Sequence, residues 1–205
     1  MGGQQAFHMA VLYPDFVERA VVLCSSARTS SHNWSILHGL ETALVSSVDW
    51  HDGQYTQTAV KGTTAFWRIF STWALSSAWF RERRWEGMGY KTLQEYLEEM
   101  WSGGQDAHDL LCQLHTWQKG DVSLYGPEKG DLAGALAGIK AKVLVMPGRT
   151  DSLFPPQDSE EEVKHLKHGE LSVIESVWGH AAGGGDGGNE DTQFIAGEIA
   201  RWLTK

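Results

Sequence analysis

Cysteine is nearly missing from the 205 residues: Cys24 and Cys112 stand 88 positions apart, which makes neither a disulfide framework nor a metal-ligand pair. Both read as small buried apolar side chains. Long hydrophobic runs are also missing; no window approaches 18 uninterrupted apolar residues, so no segment reads as a membrane-spanning helix. The opening Met1-Gly2-Gly3-Gln4-Gln5 lacks the charged segment and apolar run of a secretory signal, and Ala6 stands where a myristoylation motif has Ser or Thr. A reducing, cytoplasmic setting is the expectation. Clustered positive charge is scarce: 17 Lys and Arg against 26 Asp and Glu give a net charge of -9, with nothing denser than Arg81-Glu82-Arg83-Arg84. Without a basic patch to neutralise phosphates, nucleic acid is excluded as a partner, and that basic knot reads as a solvated helix end.

The chain is 41% hydrophobic and 11% aromatic, enough for a real core. Its pattern divides into three parts. In residues 1–32, apolar side chains from Ala6 to Tyr13 keep helical rhythm up to Pro14, and Arg19 to Cys24 then reads as a buried strand. Residues 33–130 form the expected inserted lid or cap: the pattern is helical only from Asn33 to about Gly120 and holds eight of the ten tryptophans, most of which read as core. Residues 131–205 return to alternation. A short helix near Asp131 to Ala137, a strand from Lys142 to Met146, a helix from Pro156 to Lys167, a strand from Glu170 to Ile174 and a helix from Glu190 to Trp202 succeed one another. Parallel βα units, and so an α/β fold with a helical insert, are the natural reading.

The apolar strand Lys142-Val143-Leu144-Val145-Met146 runs into Pro147-Gly148 and delivers Asp151 just beyond its carboxyl end, and Gly179-His180 comes after the next strand. Adjacent parallel strands share their direction, so an acid after one and a histidine after the next arrive side by side at one sheet edge. The carboxylate can then accept the Nδ1 proton of the imidazole and leave Nε2 free to take a proton from a nucleophile. Asp151 and His180 are therefore the candidate acid and base. The glycines around Asp186, between Ala181 and Gly188, lack the Lys-Ser/Thr ending of a phosphate-binding loop and read as a loop that wraps closely without Cβ atoms in the way. Glu161, His165 and His168 have metal-like spacing, but among Glu160, Glu162, Lys164 and Lys167 they read as a solvated face; no metal or cofactor is expected.

The opening Met1-Gly2-Gly3-Gln4-Gln5-Ala6-Phe7 resembles the segment just after the nucleophile serine in the homoserine O-acetyltransferase-like branch of the α/β-hydrolase superfamily, where a Gly-x-Ser-Met-Gly-Gly-Gln-Gln elbow opens a helix. Tyr13-Pro14-Asp15, Ser26-Ala27-Arg28, Asn33-Trp34, Asp49-Trp50, Thr116 to Asp121, Thr150-Asp151 with Phe154-Pro155-Pro156, and Trp178-Gly179-His180 are similar to the same group. The resemblance implies the C-terminal part of an α/β-hydrolase fold with an inserted helical lid. It also implies Asp151 as triad acid, His180 as triad base, and the backbone N–H at the position of Met1 as an oxyanion-hole donor. Arg68 falls about where such enzymes hold an arginine for a substrate carboxylate. Small-molecule acyl donors and acceptors are the implied partners, with acetyl-CoA as a donor substrate rather than a cofactor.

The departure from the family is at the start. Its serine would immediately precede Met1, and no Gly-x-Ser-x-Gly occurs elsewhere; Ser25 and Ser26 come after a strand with no helix opening behind them. A start codon or fragment boundary inside a longer reading frame is the expected origin, readable from the upstream nucleotides. The 205 residues alone are expected to be inactive, with an unpaired sheet edge and exposed apolar helix faces that favour self-association. The competing reading is a non-catalytic pseudoenzyme that binds a ligand or partner. Ala181 stands where homoserine acetyltransferases continue with Asp, which favours a general acyltransferase or esterase over a homoserine enzyme.

Overall fold

The computed structural model describes residues 1–127, 129–184 and 188–204, with the backbone only at Asn189. Gly185, Asp186 and Gly187 of the glycine-rich run lie outside the described residues. The chain forms two compact units, one made of Met1–Thr29 with Gly120–Lys205 and the other of Ser30–Lys119.

The first unit is built on three parallel strands, β1 (Arg19–Leu23), β2 (Lys142–Met146) and β3 (Gly169–Leu171), in spatial order β1-β2-β3. The register pairs Ala20 with Val143, Val22 with Val145, and Val145 with Leu171. Successive side chains of a strand point to opposite faces, and both faces of β2 are covered, which is why it is apolar from Val143 to Met146 after the exposed Lys142. Val143 and Val145 meet Phe7 and Ala10 of α1 (Gly2–Leu12), Leu136 of α7 (Leu132–Ala137) and Val163 of α8 (Pro156–His165). Leu144 and Met146 meet Ile195 and Trp202 of α9 (Asn189–Leu203) on the other face.

Local chemistry explains most boundaries. α7 begins where the Asp131 carboxylate accepts the Gly134 N–H at 3.1 Å, and α8 begins with Pro156, whose missing N–H costs nothing in a first turn. α8 ends two residues earlier than expected because Leu166 turns extended and joins the core. The regular ladder of β3 is shorter than the predicted Glu170–Ile174, yet Ser172 N–H and Ile174 N–H still donate to Val145 and Pro147 at 2.9 Å, so the strand's direction is kept. α1 starts at Gly2 rather than Ala6. A Cβ on Gly3 would come within 2.6 Å of the Ser25 Cβ and 2.9 Å of Val22, so glycine there lets α1 lie close against the end of β1.

β1 has a ladder partner on one side only among the described residues. Met9, Leu12, Tyr13 and Phe16, on and just after α1, are exposed, Phe16 by 78%. No helix among the described residues is long and apolar enough to cross a membrane.

The second unit consists of α2 (Ser31–Val45), α3 (Val60–Ala74), α4 (Ser77–Arg81), α5 (Leu93–Met100) and α6 (Ala107–Gln118) with short connecting turns. It closes at Lys119, close to where the aromatic helical pattern ends near Gly120 and short of the expected lid bound at residue 130. The reason lies in residues 120–130, whose backbone returns to the first unit: Thr29 N–H donates to Gly120 O at 2.8 Å, Val122 N–H donates to Ala27 O at 3.1 Å, and Arg28 pairs with Asp121 at 2.8 Å. Within the helical unit, Trp79, Trp85 and Tyr96 pack with centroids 4.9 to 5.8 Å from Trp79. Cys112, expected inside, is exposed, because helical periodicity turns Leu110, Leu111, Leu114 and Trp117 of α6 inward instead. The basic knot is solvated as expected, with Arg84 paired to Glu82 and Arg83 to Glu86 at 2.6 Å.

Candidate active site

Asp151 lies five residues past the end of β2, at the carboxyl edge of the sheet. Its position is fixed by its own backbone and by its neighbours. Asp151 N–H donates to Gly148 O at 3.1 Å, while Oδ1 accepts Leu153 N–H at 2.8 Å and Phe154 N–H at 3.0 Å. The Asp-x-x-Phe spacing thus produces a turn in which the acid caps the chain that leads into α8. Asp151 is 3% exposed.

His180 sits in a short two-turn helical segment, Gly179–Gly184, after the extension of β3. Its Nδ1 lies 2.9 Å from Asp151 Oδ2. A carboxylate accepts and does not donate, so Nδ1 carries the proton and Nε2 presents its lone pair. Nε2 has no hydrogen-bond partner among the described residues, and the side chain is 29% exposed. The Phe154 ring packs 5.3 Å from the imidazole, tilted by 35°. Buried apolar surface on one side and a carboxylate on the other hold the ring in one orientation.

Two loops must approach closely for this bond to form, and small residues and side-chain hydroxyls bring them together. A Cβ on Gly148 would lie 2.8 Å from Gly179 O. Thr150 Oγ1 donates to Ser176 O at 2.8 Å and accepts Gly179 N–H at 3.1 Å, tying the residue before the acid to the residue before the base. Ser176 accepts Trp178 N–H at 3.1 Å and donates to the buried Asp191 carboxylate of α9. Ser176 and Asp191 carried no signal in the sequence, and Thr150 only as the neighbour of Asp151 in the family-like segment, since nothing in their spacing announces a shared network.

Cys24 was also missed as a site residue. It comes directly after β1 with φ of +41°, a left-handed conformation uncommon outside glycine, and its sulfur lies beside the pair: the donor atoms of Cys24, Asp151 and His180 are all within 4.8 Å of one another. Among the described residues they are the one trio spaced as metal donors would be. Burial first, and then the neighbouring Asp151 charge, push the thiol up to about 12, so it is a neutral S–H rather than a ready thiolate ligand.

Met1 caps the N-terminus of α1, where burial lowers the pKa of its amino group, and Gly3 holds that terminus against Val22 and Ser25 at the carboxyl end of β1. Arg68 is exposed on α3 of the helical unit, with no ion pair among the described residues. His165 lies 3.5 Å from Glu161 on the solvated face of α8, as expected, and Glu161 binds Lys164. Glu162 departs from that face. It is buried, with Oε1 accepting Ala27 N–H at 2.7 Å, and burial, the largest influence, raises its pKa to about 7.

No protein-family model matches the chain. Among curated proteins, an ethyl acetate hydrolase of Pseudomonas veronii is 32% identical over 185 residues, which cover 88% of this chain and 52% of that protein. A homoserine O-acetyltransferase of Methanococcoides burtonii is 30% identical over 202 residues, covering 89% of this chain and 41% of that protein. The solved structure of the acetyl esterase MekB superposes with a TM-score of 0.94 at 29% identity, covering 100% of this chain and 60% of that one. The chain spans about half the length of the curated relatives it matches. Its fold is that of the α/β-hydrolases, and the relatives it is similar to comprise esterases and homoserine O-acyltransferases.

Proposed function

We propose that the chain carries the acid and base of a serine-dependent acyl-transfer site for short acyl esters. The nucleophile is a residue that the 205-residue sequence does not contain. The observation that carries this reading is the 2.9 Å bond from His180 Nδ1 to a buried Asp151 carboxylate, with Nε2 left unpartnered among the described residues. In the proposed reaction, a serine hydroxyl attacks the acyl carbonyl and its proton passes to His180 Nε2. The imidazolium faces Asp151, and backbone N–H groups, including the one at the position of Met1, stabilise the oxyanion. Collapse of the tetrahedral intermediate expels the alcohol, which takes the proton back from His180. Water or a second alcohol then repeats the steps in reverse and releases acid or a new ester.

Acetyl esters are the favoured substrate class, supported by the names of the ethyl acetate hydrolase and acetyl esterase relatives. Ala181 after His180 disfavours homoserine as acceptor. If the acceptor does carry a carboxylate, Arg68 is its proposed partner, and Arg68→Ala would raise KM for that acceptor alone. The 205-residue chain by itself is inactive and self-associates through the free edge of β1 and the apolar surface of α1; a monomer with one sharp melting transition would refute this second point.

A serine-reactive fluorophosphonate tests the reading. An extended form that includes the upstream Gly-x-Ser should be labelled and hydrolyse ethyl acetate, while the 205-residue chain should do neither. An extended form that binds no probe would leave the non-catalytic binding protein as the better account.

A further inference from the structure

We propose that Cys24 is a positioning residue of the acid–base pair: its thiol donates a hydrogen bond to the Asp151 carboxylate and sets how strongly that carboxylate holds His180. This deepens the reading of Asp151 and His180 as acid and base, and rests on it. An ionised carboxylate has about four lone-pair positions to satisfy, and the Asp151 side chain is 0% exposed, so water is excluded from them. Three are taken, two on Oδ1 by Leu153 N–H and Phe154 N–H and one on Oδ2 by His180 Nδ1–H. Cys24 Sγ lies within 4.8 Å of the carboxylate oxygen and of the imidazole nitrogen, and its S–H can serve the fourth.

Its surroundings orient the sulfur for that role. Gly148 passes close beside it, where an added Cβ would lie 3.7 Å from Sγ. The acceptors in reach of its proton are the Asp151 carboxylate, within 4.8 Å, and Met146 O, at a long 3.9 Å. A Cβ on Gly183 would lie 2.6 Å from Sγ, so the loop that carries His180 is built around this atom. The backbone at Cys24 agrees. At φ of +41° a glycine would sit without steric cost, yet a side chain is kept there.

The S–H stretching band reads this bond directly. With the exposed Cys112 replaced (Cys112→Ala), Cys24 is the one remaining thiol. Its band should lie at the low frequency of a thiol bonded to an anion, and Asp151→Asn should move it to higher frequency. A band that does not move assigns the proton to Met146 and overturns the proposal. Cys24→Gly suits the left-handed backbone and removes the donor; the His180 Nδ1 proton resonance should then shift downfield, because Oδ2 becomes the stronger acceptor, and Cys24→Ser should restore it. A resonance unmoved in a folded Cys24→Gly chain would reduce Cys24 to packing and also overturns the proposal. Both spectra are taken on the 205-residue chain, without turnover. Failure of the extended form to react with the fluorophosphonate would therefore sink the acyl-transfer reading alone, and failure of the spectral shifts would sink the role of Cys24 alone.

Discussion

In the sheet-bearing unit, buried polar side chains are bonded to one another and to loop backbone at the carboxyl ends of the strands: Asp151 to His180, Ser176 to Asp191, Thr150 to both site loops. In the helical unit the interior is held by aromatic contact around Trp79, and polar side chains serve at helix starts, as Ser30, Ser76, Thr92 and Asp106 do. The first unit therefore holds its loops by directed bonds that also join Asp151 to His180, while the second holds its helices chiefly by area buried. Perturbations should respect that division.

The largest effect is expected at the acid. Asp151→Asn in the extended form keeps the shape of the side chain but offers Nδ1 an amide, which upsets the imidazole tautomer. Ester hydrolysis should fall by about four orders of magnitude, chiefly in kcat, as such changes do in serine enzymes. Retention of more than a tenth of the activity would remove Asp151 from the site. Next comes Trp79→Ala, which empties the most enclosed aromatic position of the helical unit, at 0% exposure. A loss of about 3–5 kcal/mol is expected in denaturant melts followed by tryptophan fluorescence. The His180 Nδ1 resonance should be unchanged under native conditions; its loss together with the fluorescence change would break the division between the two units.

Glu162 tests the same contrast through pH. Its pKa is raised from 4.5 in an ordinary carboxyl to about 7 by burial. The folded state thus holds a proton that the unfolded state has released, so this contribution to stability is complete below about pH 4.5 and is lost as pH rises through 7. The loss is on the order of 3 kcal/mol. Glu162→Gln should flatten the stability profile between those limits, and an equally steep profile in the variant would show that another group is responsible. The smallest effect belongs to a cap. Thr92 accepts Glu95 N–H at 3.1 Å while the Glu95 carboxylate bonds back to Thr92 N–H. Thr92→Ala should cost about 1 kcal/mol in the same melts.

Much of the fold and of the site is legible in the residues themselves. β2 has the predicted bounds, because a strand buried on both faces is apolar along its buried length, here Val143 to Met146. The acid–base meeting is legible too, since parallel neighbours carry their C-terminal loops to one edge. The misreadings share a cause. Glu162 looks solvated among its charged neighbours and Cys112 looks buried by residue type, but which face of α8 or α6 turns inward depends on what packs against it. Residues 120–130 look like the end of the insert, and only the bonds from Arg28, Thr29 and Ala27 return them to the first unit.

Amino-acid order alone settled the alternation of strands and helices, the place of the tryptophan-rich insert, and the appearance of Asp151 and His180 after successive strands. These are consequences of periodicity and of parallel direction, which act locally along the chain. Tertiary structure was needed to decide that Cys24 lies against that pair, that Glu162 is sealed from water, and that Asp191 anchors Ser176. Each joins residues remote in sequence, and burial and hydrogen bonding depend on distance in space, which no local pattern encodes.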